Sequence, residues 1–101
     1  MKGDADVIKV LNDVLRKELT GINQYFIHSK MCKNWGYDVL ADVHWHESID
    51  EMKHADRLIE RIIFLEGVPN VAAYDKISVG ANVKQQLEND RGLEQAALTI
   101  L

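Results

Sequence analysis

At 101 residues and 47% hydrophobic content, the chain is long enough for one small domain and too short for two. Its formal charge of -4, from 12 basic against 16 acidic residues, leaves no basic footprint for nucleic acid or for an anionic membrane surface. The lone Cys32 cannot form an internal disulfide and points to a reducing compartment. No stretch has the apolar length of a membrane span, and the opening MKGDADVIKVLND lacks the apolar core of a signal peptide, so a cytoplasmic protein is expected.

Pro69 is the only proline, and most of the chain is rich in Leu, Ile, Lys, Glu and Ala with apolar residues every three or four positions, which predicts an all-helical fold. The first helix should run from about Asp4 to Asn34 and end near Gly36. The second should run from about Asp38 to Glu66, stopped by Gly67 with Pro69 just beyond. From Gly67 to about Gly80 periodicity fades over a stretch too long for a tight helix-helix loop, so a crossover is expected. A third helix starts near Asn82, a suitable N-cap, and remains periodic to Leu101.

Projected at 100° per residue, the first helix gathers Val7, Leu11, Val14, Leu15, Ile22, Tyr25 and Cys32 into one stripe with Glu18 at its centre. On this apolar face Cys32 reads as a small buried hydrophobe. The second helix gathers Leu40, Ala55, Leu58, Ile62 and Leu65, with His44, Glu47, Glu51 and His54 inside the stripe. The third gathers Val83, Leu87, Leu98 and Leu101 around Asp90 and Glu94. Each helix thus carries acid on its expected core face. Buried carboxylates either pair with Lys or Arg, stay wet at the edge of the core, or converge on shared cations.

Glu51-Met52-Lys53-His54 favours the last alternative, because a carboxylate and an imidazole three residues apart leave one helix face a turn from each other and can grip one ion. Oxygen-rich ligation with one nitrogen and no thiolate suits iron or manganese better than structural zinc. Met52 is rotated about 100° from Glu51 and must serve another surface. There Trp45, Ile49 and Met52 form a second apolar stripe, with Ile8, Leu19 and Phe26 flanking the core stripe of the first helix; a symmetric dimer could bury both around a flat ligand.

MKGDADVIKVLN, ELTGINQYF from Glu18, NWG from Asn34, HESIDEMKHAD from His46 and ERIIFLEGVPN from Glu60 together resemble bacterioferritin, the haem-containing ferritin. The resemblance covers residues 1–101 and implies a single ferritin-like di-iron domain, a four-helix bundle of which this sequence supplies the first two long helices, the crossover and part of the third. It implies that Glu18, Glu51 and His54 bind one iron, that Glu51 bridges to a second, and that Glu94 binds that second iron. Met52 would be the axial ligand of a b-type haem shared by two subunits. Tyr25 would stand beside the di-iron centre as an electron donor, or be a core tyrosine with a bonded hydroxyl. His46 and Asp50 match an inner-surface iron site of some members, or are an ordinary solvated pair. Trp45 stands where the family often has tyrosine.

The partners implied are Fe(II) with dioxygen or peroxide, a ferredoxin-type reductant, and identical subunits joined through haem-bridged dimers into a 24-subunit cage. The family's subunit continues into a fourth long helix that bears a second Glu-x-x-His. Here Glu51 to His54 is the only such motif, and Glu94 is followed three positions later by Ala97. Either the remainder of a longer chain or another chain is therefore expected to cover the open face. Two functions follow: an iron-storage ferroxidase working through Glu18, Glu51, His54 and Glu94, or a non-catalytic haem-binding or assembly subunit that keeps only the Met52 interface.

Overall fold

A computed structural model describes residues 2–98, which form three helices: α1 (Ala5–Asn34), α2 (Asp38–Phe64) and α3 (Val83–Leu98). The expected continuation of α3 to Leu101 lies outside the described residues. α1 packs along α2, and α3 lies against α1. Leu15, Ala55 and Ile62 form the centre of the α1/α2 seam, with Ile8, Leu11, Leu19, Ile22, Leu58 and Ile59 packed around them. Leu15 and Ile62 are fully buried, each contributing about 1.5–3 kcal/mol. Ser29 Oγ donates to the Ala41 carbonyl at 2.7 Å and Ser48 Oγ to the Ile22 carbonyl at 2.8 Å, tying the two helices at close approach.

The helix ends follow from local chemistry. Asp4 caps α1 by accepting from the Asp6 amide at 2.7 Å. At its C-terminus Tyr37 N–H bonds the Cys32 carbonyl and Gly36 N–H the Lys33 carbonyl, with Gly36 left-handed at φ 85°. The same pair of bonds closes α2, from Gly67 N–H to Ile62 and from Glu66 N–H to Ile63, but here Glu66, not glycine, takes the left-handed position at φ 61°. The helix therefore stops short of the Glu66 expected from sequence. Gly67 is required for packing, since a Cβ there would lie 2.8 Å from Ile8 Cγ2. Asn82 caps α3 as expected, accepting from Gln85 N–H at 2.9 Å, and the Gln85 side chain reaches back to the Ala81 amide.

Residues 68–82 cross over without helix, and α1 holds them by a row of side chains spaced four apart. Asn12 bonds the Val68 carbonyl and the Asn70 amide; Arg16 pairs with Asp75; Thr20 Oγ1, Gln24 Oε1 and His28 Nε2 accept from the amides of Asp75, Ser78 and Gly80 at 2.9, 3.1 and 3.0 Å. Lys17 adds a second ion pair to Asp75. Positions four apart line up along an oblique ridge of the helix, so the crossover follows that ridge toward α3.

Three stripe positions depart from the core expected of them: Val7, Leu87 and Leu98 are 50, 50 and 69% exposed, because they sit on faces that the packing of α1 with α2 and α3 leaves open. Ile8 and Leu19, expected to flank the core stripe, are partly buried and pack against the core cluster, while Phe26 is 43% exposed. No described helix is long and apolar enough to cross a membrane.

Candidate metal centre

Where α1 and α2 run side by side, Glu18, Glu51 and His54 meet. His54 Nδ1 lies 3.4 Å from Glu18 Oε2 and 4.0 Å from Glu51 Oε1, and one ligand atom from each of the three falls within 4.8 Å of the others. The arrangement depends on Gly21, one turn along α1 from Glu18. A Cβ at that position would stand 3.2 Å from Glu51 Oε2, so the missing side chain is the space into which Glu51 folds. Burial, and then the adjacent Glu18 carboxylate, push the Glu51 pKa up to about 9. In metal-free protein Glu51 therefore carries a proton at neutral pH, and a bound cation must displace it.

Two of the three, Glu51 and His54, line a groove of about 460 Å³ with Tyr25, Val43, His44, Glu47, Asp50, Leu87, Asp90 and Glu94. The acids expected on the core faces of α2 and α3 line this open groove. Glu51, His44 and Asp90 are buried, but Glu47, His54 and Glu94 are exposed along its open side. Glu94 comes from α3 and accepts the Tyr25 hydroxyl at 2.7 Å. Burial, and then this bond, raise the Tyr25 pKa far above that of a free phenol, keeping the phenol protonated. The expected neighbours Tyr25 and Glu94 are thus together at the groove wall.

The remaining candidates lie elsewhere. Met52 is 53% exposed on another face of α2, and the rings of Trp45 and Phe26, 5.6 Å apart, are also exposed. Lys30 covers both rings at 5.3 and 5.6 Å. His46 Nδ1 bonds the Asp42 carbonyl at 2.7 Å, while Asp50 sits at the groove edge, so the structure gives this pair no direct bond.

Sequence reasoning missed a second buried cluster, although it placed two of its members, His44 and Asp90, on the right faces. Asp90 Oδ1 accepts from Gln24 Nε2 at 2.9 Å and from His28 Nδ1 at 3.0 Å; His44 Nε2 lies 3.2 Å from Oδ2. Burial disfavours the charged carboxylate, but His28, His44 and Gln24 together outweigh it and bring the pKa down to about 2. Cys32 donates to Gln86 Oε1 at 3.1 Å and lies 3.7 Å from His44 Nδ1. Its surroundings are polar, not the apolar face expected, and burial followed by the charge of Asp90 raises its pKa, so it stays a thiol. The available signal was the four-residue step from Gln24 to His28 to Cys32, which places all three on one line of α1.

Residues 8–101 match the model of the ferritin-like domain. Over all 101 residues the chain is 45% identical to a bacterioferritin of Mycobacterium leprae, spanning 64% of that protein. It is 50% identical to a bacterioferritin of Brucella melitensis over 90 residues, 89% of this chain and 56% of the relative. It is 46% identical to one of Rhodobacter capsulatus over 100 residues, 99% of this chain and 62% of the relative. The chain thus spans somewhat less than two thirds of these relatives' length.

Proposed function

Because this chain belongs to the ferritin-like domain family, we propose that it takes up Fe(II) at Glu18, Glu51 and His54 and serves iron storage as part of a cytoplasmic cage. One observation carries the reading: two carboxylates and an imidazole from two helices bring their ligand atoms within 4.8 Å of one another beside an open groove. A divalent ion held there at about 2.1 Å from each donor neutralises the like charges that otherwise keep Glu51 protonated. Glu51 then loses its proton, and Glu47, Asp50 and Glu94 along the groove supply negative potential that draws in cations and favours the more highly charged Fe(III) product.

In the ferroxidase reaction each of two Fe(II) ions would give up one electron; dioxygen accepts both electrons with two protons and leaves as hydrogen peroxide, or hydrogen peroxide accepts both electrons with two protons and leaves as two waters. Glu94 would bind the second ion once it releases the Tyr25 hydroxyl, which it holds at 2.7 Å, and Tyr25 would supply the second electron, with its phenolic proton, where only one Fe(II) is bound. Replacing Glu18 by alanine should reduce rapid Fe(II) oxidation, followed by ferric absorbance, to the uncatalysed rate. An unchanged initial rate would overturn the assignment.

Met52 would hold a b-type haem shared by two identical subunits, a role supported by its exposed side chain on an apolar strip with Trp45 and Ile49 on α2, beside Phe26 on α1, which packs on Trp45. Such a haem would supply a one-electron relay to a ferredoxin-type reductant. A second reading, a haem-binding or assembly subunit without oxidase activity, is favoured by a single observation. Among the described residues only the Glu18, Glu51 and His54 group forms at this position, and Glu94 stands apart with Tyr25. Either way, Met52→Leu should abolish the haem absorption band and leave helical circular dichroism unchanged; retained haem would refute the role of Met52.

A further inference from the structure

The buried cluster behind the groove contains an oxygen with no hydrogen-bond partner. Asp90 Oδ1 is served twice, by Gln24 and His28, whereas Oδ2 is buried with none. His44 Nε2 is 3.2 Å from Oδ2 but off the line of a hydrogen bond. Unsatisfied buried carboxylate oxygens are costly and rare, and this one belongs to a residue only 7% exposed that lines the groove together with His44 and Glu47.

We propose that His44 Nε2 and Asp90 Oδ2, with Glu47 as third donor, form a second divalent-cation site at the groove wall, about one to three helical turns along α2 from Glu51 and His54. The span of 3.2 Å between the two buried donors subtends an angle of about 100° at an ion bound at about 2.1 Å from each, close to that of an octahedral or tetrahedral complex. Glu47 follows His44 by three residues and so shares its face, and it lines the same groove.

The surrounding hydrogen bonds orient both ligands. Gly80 N–H donates to His28 Nε2, so the proton of that ring is on Nδ1, where it donates to Asp90 Oδ1. His28 is therefore a supporting residue and not a ligand, and with Gln24 it holds the carboxylate with Oδ2 turned to His44. On the other side His44 Nδ1 faces Cys32 Sγ at 3.7 Å, and Cys32 donates onward to Gln86 Oε1. A bound ion would take the Nε2 lone pair in place of the proton that faces Asp90 in the metal-free protein, leaving the ring proton on Nδ1 toward Cys32, the outer-shell arrangement common to metal-bound histidines. Mixed nitrogen and oxygen donors, with one open position in a tetrahedral complex or three in an octahedral one, suit an exchangeable Fe(II), Co(II) or Zn(II) ion. The site stands whether or not the neighbouring carboxylates oxidise iron.

Co(II) titration of the full chain, followed by visible absorption, tests this. The unmodified protein should bind one Co(II) more than His44→Ala, while Glu18→Ala should lose a different equivalent and keep the one that depends on His44. Zinc-soaked crystals of unmodified protein, which avoid any folding defect of a variant, should give an anomalous peak between His44 Nε2 and Asp90 Oδ2. Identical Co(II) stoichiometry in His44→Ala, or a zinc peak at Glu18, Glu51 and His54 alone, would overturn the proposal.

Discussion

Replacing Asp90 by alanine removes the one carboxylate on which α1, α2 and α3 converge. Gln24 and His28, 1 and 0% exposed, each lose a hydrogen bond to a charged acceptor and have no water to turn to. At about 1.5–3 kcal/mol for each such bond, the expected loss in metal-free protein is about 3–6 kcal/mol. The same range, about 3–5 kcal/mol, follows from removing one partner of a buried ionic cluster. Set against the total of about 5–15 kcal/mol typical of a domain this size, the variant should be marginally folded at best. Urea denaturation with a chelator present measures the difference. The gap should be full above pH 3.8 and close as pH falls through about 2, where the native carboxylate takes up its proton. His28→Ala should couple to Asp90→Ala by more than about 1 kcal/mol in a double-mutant cycle. A loss below about 1 kcal/mol in Asp90→Ala, or additivity in the cycle, would refute the reasoning.

Two further predictions concern charge and space. The folded chain holds the Glu51 proton more tightly than the unfolded one, with a pKa of about 9 against 4.5. That contribution to stability is therefore present below about pH 4.5 and is lost as pH rises toward 9. Glu51→Gln should flatten this slope in metal-free thermal melts and abolish metal protection; an unchanged slope would show that Glu51 is not the group responsible. Gly80→Ala would place a Cβ 2.3 Å from the Gln86 backbone nitrogen, a clash with main chain that should cost at least about 1–3 kcal/mol and shift α3, read as a lowered denaturation midpoint and lost amide protection at the start of α3.

What could be read from the sequence divides along physical lines. Helix spans and the caps at Asp4 and Asn82 were legible because they depend on short-range chemistry. The helix faces of Glu18, Glu51 and His54 were legible from one motif and its apolar neighbours, whereas their meeting around one point was implied by the family resemblance and not by the spacing. The end of α2 was misread by two residues, since Gly67 looked like a conformational stop when its smallness serves contact with Ile8 and the left-handed backbone belongs to Glu66. The Asp90 cluster was only half visible. Gln24 and His28 look like solvated residues beside an apolar stripe until a connection without periodicity of its own is laid across them. Exposure of Glu47 and Glu94 also depended on an arrangement of three helices that no single helical projection contains.

The row from Asn12 to His28 grips the crossover largely through main-chain amides, which every residue except proline possesses. This part of the chain is therefore constrained in length and lenient in composition. Outward-facing Val68, Val71, Tyr74 and Val79, each between 47 and 81% exposed, could be exchanged with little effect on how the crossover lies. A single inserted or deleted residue between Asn70 and Gly80 would instead put the amides out of step with a helix that repeats every four positions, and the misalignment would be carried to Gly80, His28 and the start of α3.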